Sequence, residues 1–187
     1  MNKYLKKTYR VIGLVLIVLL TTLNGAAHVV ESVKSERQFK DFRTEFMWDA
    51  KVKIGEMISV GNSKRGTCRV IPITGGNFSG PNIKGEVLPG GEDCQLVHPD
   101  GDTELNARYL LKTDDGIIIQ VNNQALIHAP AKGEKGDFYV KSVIDLEAPN
   151  DSKYNYLNHA IFFGTLSMPQ LKPNEEPYVI IGVYKLL

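Results

Sequence analysis

The sequence predicts an all-β fold, a single closed antiparallel β-barrel. Three observations predict it. Residues 42–187 break into about nine short runs of alternating apolar residues, with turn signals at roughly 8–12-residue spacing. No run carries the periodicity of a long amphipathic helix. An antiparallel meander of that many strands also leaves exposed edges unless it closes on itself.

The elements follow in chain order. In FMWDAKVKI, Phe46, Trp48, Ala50, Val52 and Ile54 alternate with Met47, Asp49, Lys51 and Lys53, the pattern of a half-buried strand. GNSKRG (61–66) reads as a turn, and TCRVIPIT as a second strand with Pro72 at an edge or bulge. The densest stretch is ITGGNFSGPNIKGEVLPGGEDCQLVHPDG, residues 73–101. Within it, GEVL and DCQLVH are short strands. The glycine pairs at 75–76 and 90–91 and the prolines are turns between them. HPDGD supplies an Asp-Gly turn. TELNARYLLKT then places Leu105, Ala107, Tyr109 and Leu111 on one face. DDG (114–116) turns the chain into IIIQVNNQALIH, and the loop APAKGEKG leads to DFYVKSVIDLE. APNDSKYNYLN is irregular or one helical turn, and HAIFFGTLSM and PYVIIGVYKLL are the last strands.

The chain has 187 residues and a net charge of +1. One domain is expected at that length. Mixed, near-neutral charge argues against a nucleic-acid partner. The N-terminus has its own logic. Lys3, Lys6, Lys7 and Arg10 precede the apolar run VIGLVLIVLL, and small residues follow, the order of a secretory signal peptide. Gly25 and Ala27 fit cleavage before His28, which N-terminal sequencing of the mature protein reads directly. The run is short of the roughly 20 residues that span a bilayer. An uncleaved signal anchor is the alternative. The expected layout is therefore a signal peptide (1–27), a tether (28–41) and a barrel (42–187). The expected location is secreted or periplasmic, with no membrane contact after cleavage.

In an oxidising compartment Cys68 and Cys94 are disulfide candidates, with free thiols the alternative. No CxxC and no histidine cluster indicates a metal, and nothing points to another cofactor. GGNFSGPNIKGE lacks the Gly-Lys-Ser/Thr ending and the helix of a phosphate loop.

The residues also single out a candidate site. Glu86 sits in a four-residue strand, and if it points inward it needs a partner, because an unpaired buried charge is very costly. Arg108 offers a planar fork suited to a carboxylate. Gln95 and Asn158 supply amides for the remaining hydrogen bonds. The alternative is a solvent-facing or structural ion pair. Tyr109 neighbours Arg108 and belongs to the opposite face, as core. Asp93, Asp100, Asp114 and Asp115 read as turn residues. His128 is the best placed of His98, His128 and His159 for acid–base work, although none adjoins a recognisable nucleophile motif.

RVIPITGGNFSGPNIKGEVLPGGEDCQLVHPDG, ELNARYLLKTDDG and YLNHAIFFGT together resemble the DUF3237 family, also called UPF0311. The resemblance runs from Phe46 to the C-terminus and implies a lipocalin-like barrel. Cys94 departs from it, standing where such sequences commonly carry an aromatic residue. The function expected first is an exported barrel that binds a small, partly apolar molecule through Glu86, Gln95, Arg108 and Asn158. The alternative is an isomerase, cyclase or lyase with Glu86 or His128 as acid/base. A structural module without a cavity is a third class. The oligomeric state stays open.

Overall fold

Alternating residues give most of the ten strands one apolar face, and those faces turn toward one interior. The computed structural model describes residues 42–130 and 138–187. The expected signal peptide and tether lie outside the described residues. The strands are β1 (Thr44–Ile54), β2 (Ile58–Ser63), β3 (Gly66–Ser79), β4 (Lys84–Val87), β5 (Gly91–Val97), β6 (Thr103–Thr113), β7 (Ile118–His128), β8 (Tyr139–Glu147), β9 (Phe162–Ser167) and β10 (Tyr178–Leu186). A 3-10 turn, Asn155–His159, lies between β8 and β9.

All pairings are antiparallel, and the ring runs β1-β10-β9-β8-β7-β6-β4-β3, closed by β1 against β3. β4 and β5 share one place in it. β5 pairs with β3 from Thr67 to Ile73, and β4 with β3 from Gly76 to Ser79. Eight strand positions therefore close the barrel, with β2 added as a hairpin beside the first half of β3. Closure removes the unpaired edges that an open meander would expose.

Two expectations need correction. The stretch 61–66 is not all turn: β2 continues through Ser63, and only Lys64 and Arg65 form the reversal. Nor do Gly75 and Gly76 end a strand; they lie inside β3, with φ of +133° and +138°. At Gly76 a Cβ would collide with the Lys51 carbonyl oxygen, so glycine is what lets β1 cross β3 there. The Gly90, Gly101 and Gly116 positions are turns with positive φ, as the Gly and Asp-Gly signals predict.

The two ends of the barrel differ. At one, the inward residues are large: Trp48, Phe78, Leu111, Ile119 and Phe162 are nearly or wholly buried. The turn 155–159 covers this end and inserts Leu157, with Tyr154 buried just ahead of it. Asn158 fastens the cover: its Oδ1 accepts from the Ala148 amide at 2.7 Å, and its Nδ2 donates to the Ala148 carbonyl at 2.8 Å. The Tyr154 hydroxyl donates to Asp115 Oδ1 at 2.9 Å. Hydrogen bonds from Thr113, Lys153 and Tyr154 hold the Asp115 carboxyl well below the usual range.

Candidate functional site

At the other end the inward residues shrink. β6 contributes Ala107, β7 Ala125, β8 Ser142 and β9 Gly164. Where facing side chains are small, a barrel of this girth does not fill. The result is a cavity of about 260 Å³ walled mainly by aliphatic residues such as Ile71, Leu105, Val140, Leu166 and Ile181. Tyr109 forms part of its inner wall, and burial keeps its phenol neutral by pushing the hydroxyl upward.

A polar chain enters this apolar space from one side. Arg69 and Gln95 are directly opposed on β3 and β5, both inward. Arg69 Nε donates to Gln95 Oε1 at 2.6 Å, and Gln95 Nε2 donates to Asp93 Oδ2 at 2.6 Å. The guanidinium thus sets the orientation of the Gln95 amide, and the amide holds one oxygen of the carboxyl. The other, Asp93 Oδ1, is buried with no hydrogen-bond partner. Burial pushes the Asp93 carboxyl up; the Gln95 hydrogen bond, the Asn106 backbone and the Arg69 charge pull less strongly the other way. Two strands along the same wall, Asn123, only 6% exposed, also keeps an Oδ1 without a donor. Among the described residues Asp93 is the one carboxyl that lines the cavity.

The expected site residues divide accordingly. Gln95 lines the cavity, 8% exposed. Glu86 does not: it points outward, its side chain is 56% exposed, and it pairs with Lys112 at 3.2 Å. Arg108 is exposed on the outer face opposite Glu92, because Ala107 and Tyr109 on either side of it take the inward positions. Glu86 and Arg108 therefore form no pocket pair. Asn158 serves the cover at the far end. His128 stands outside the cavity at the end of β7 and pairs with Asp102 at 2.5 Å. Glu86→Gln and Arg108→Met should each change stability by less than about 1 kcal/mol in urea unfolding, the range of exposed ion pairs. A loss above about 3 kcal/mol would mean a buried pair.

Cys68 and Cys94 lie on adjacent strands but are not bridged. Cys68 is opposite Leu96 and Cys94 opposite Val70, so the thiols are diagonal neighbours on the outer face. Diagonal positions stand roughly 7–8 Å apart. A disulfide needs its Cβ atoms at about 3.5–4.5 Å. Among the described residues no group of three or more His, Cys, Asp or Glu side chains is gathered to hold a metal.

Asp93, Arg69 and Asn123 are the residues that sequence reasoning missed. Asp93 reads as a turn residue, its carboxyl bonding backbone amides at the start of the strand DCQLVH. Yet it stands two positions before Gln95, and period-two alternation puts both on one face.

Fold and site together define a class: a closed antiparallel barrel, plugged at one end, with an apolar cavity at the other that holds a hydrogen-bonded carboxyl. The chain belongs to the DUF3237 family, a family of proteins of unknown function, whose model matches residues 42–186. It is 30% identical over 156 residues to a UPF0311 protein of Rhodopseudomonas palustris, covering 77% of this chain and 96% of that one. The crystal structure of the R. palustris protein superposes with a TM-score of 0.69 at 29% identity, over 80% of this chain and all of that one. A β-barrel-like protein of Acinetobacter baumannii gives a TM-score of 0.68 at 29% identity, covering 81% of this chain and all of that one. The hydroalkoxylation enzyme phnH of Penicillium herquei is 31% identical over 121 residues, 65% of this chain and 72% of its own.

Proposed function

We propose that the barrel takes a small, largely apolar molecule into the cavity and moves a proton on it with Asp93. The observation that carries this is the carboxyl itself. It sits among aliphatic walls, one oxygen is held by Gln95, and burial favours its protonated form. A carboxyl whose proton is held more tightly than usual is suited to general acid catalysis. The acid–base role expected of Glu86 or His128 passes to Asp93, since neither of those lines the cavity.

The reaction this favours is addition of a hydroxyl across a carbon–carbon double bond, or its reverse. The activity named for phnH points the same way. Asp93 gives its proton to one alkene carbon as the π bond opens. The substrate oxygen bonds to the other carbon and loses its own proton, which returns to the carboxylate. No electron acceptor or other reactant is consumed. The Arg69–Gln95 chain orients the carboxyl, and the apolar wall excludes water that would compete for the carbon centre. Export remains part of the proposal, supported by the residue order of 1–27.

The test uses ortho-prenylphenol in heavy water. Catalysis yields the cyclic ether with one deuterium on the former alkene carbon, read by NMR. A probe that binds and is recovered unchanged, free of deuterium, would make this a binding protein. A probe displaced by nothing and shifting no cavity resonance would remove the cavity from the account.

A further inference from the structure

β2 stands outside the closed ring. It ends the strand order, and its backbone hydrogen bonds go to β3. Among the described residues it is also the one strand with no buried side chain. Ile58 and Val60 are 56% and 65% exposed. The second edge of β2 therefore presents unpaired amides and carbonyls beside exposed apolar side chains.

Such an edge templates pairing with another chain unless charge, proline or a cover blocks it. β2, ISVGNS, holds no charge and no proline. Its register shifts between Ser59 and Gly61, which bulges Val60 and bends the strand. The bend divides the edge into two short straight halves and covers neither.

The flanks of β2 say what fits. Glu56 lies four residues before Val60, and Lys64 four after it. Neither has an ion-pair partner among the described residues, nor has Arg65 beside Lys64. A strand that reads acid, apolar, base is its own complement when reversed. In an antiparallel pair about a two-fold axis, each residue meets the position equally far beyond the axis on the other copy. With the axis at Val60, Ile58 meets Asn62, Glu56 meets Lys64, and the two bends coincide.

We propose that the open edge of β2 pairs antiparallel with β2 of a second copy of this chain, about a two-fold axis at Val60, with Glu56 of each copy against Lys64 of the other. The two barrels then share one continuous sheet through β3, β2 and their counterparts. The pairing does not depend on the chemistry in the cavity.

Sedimentation equilibrium of the full chain over a range of concentrations tests it. One short strand pair buries little area, so wild type should be a reversible dimer with a dissociation constant on the order of 10 µM. Val60→Lys sets two like charges on the axis and should abolish association. Glu56→Lys and Lys64→Glu should each weaken it about tenfold, and the two together in one chain should restore it. All three positions are exposed, so circular dichroism should keep the β spectrum in every variant. A monomer up to about 1 mM, a dimer that survives Val60→Lys, or a double variant that fails to recover would each overturn the proposal. So would a monomer whose 58–63 amides are protected from hydrogen exchange along the open edge, since the chain itself would then cover it.

Discussion

Asp93→Asn should lower turnover by about 10²–10⁴-fold, the usual contribution of a positioned general acid or base. It should also make the protein more stable at neutral pH. The two effects share one cause. Burial raises the Asp93 pKa above its ordinary value of 3.8, so the folded state holds the proton more tightly than the unfolded one. The ionised carboxylate therefore costs stability in the fold. That cost is fully present above the raised pKa and disappears as pH falls through the raised value toward 3.8. Asparagine carries no such cost at any pH. The stability difference between variant and wild type should thus be positive at neutral pH and shrink on acidification. Asp115, Glu175 and Glu176 have lowered pKa values and lose stability with falling pH, but they do so equally in both proteins and cancel in the difference. Urea unfolding of both proteins near pH 7 and near pH 4 measures it. A variant that is less stable near neutrality would mean that Arg69 and Gln95 stabilise the carboxylate more than burial opposes it.

Trp48→Ala should cost about 3–5 kcal/mol, the range for deleting a large buried aromatic. Trp48 is 1% exposed and packs on Phe78 with ring centroids 5.8 Å apart at a tilt of 60°. Such tilted pairs add to the stabilisation that area burial alone provides. The surroundings cannot collapse to fill the space. The register shifts between Phe46 and Trp48, and a Cβ at Gly80 would collide with the Met47 carbonyl oxygen, so the chains there are already in contact. Trp48 is the single tryptophan, so unfolding must be followed by circular dichroism rather than by its fluorescence. Turnover of ortho-prenylphenol should be unchanged below the unfolding midpoint, because the cavity is lined by other residues. A loss under about 1 kcal/mol would place the stability of the barrel elsewhere. Loss of turnover in the folded variant would show that the two ends are coupled.

Much of the strand content was legible because solvent faces one side of most strands. The alternation Leu105, Ala107, Tyr109, Leu111 marks the inward face of β6, and the same alternation sends Arg108 outward. Likewise Val87 is buried and Glu86 exposed within four residues. Glu86 and Arg108 form no pocket pair, because the neighbours of each take the inward positions. The sequence points to Gln95 as a site residue and not to Asp93, although one strand carries both. The strand read from DCQLVH begins at Asp93 itself, so the residue stands at its edge, where a turn role competes; β5 starts two residues earlier, at Gly91, and puts Asp93 inside the strand.

By itself, the sequence determined the all-β class, the family, most strands, the Asp-Gly turns and which residues share a face. Those follow from local physics, since side-chain period and backbone preference act over a few residues. It also carried the small inward residues Ala107, Ala125, Ser142 and Gly164, but not the fact that they meet. Tertiary structure decided the register, and register is a property of pairs of strands distant in sequence. A shift of one residue would turn Asp93 and Asn123 to the outside. Bulges, the crossing at Gly76 and the sharing of one barrel position by β4 and β5 set that register. They bring Asp93, Ala107 and Asn123 into one row, leave one end of the barrel packed with aromatic rings and the other hollow, and put Cys68 and Cys94 two residues out of step.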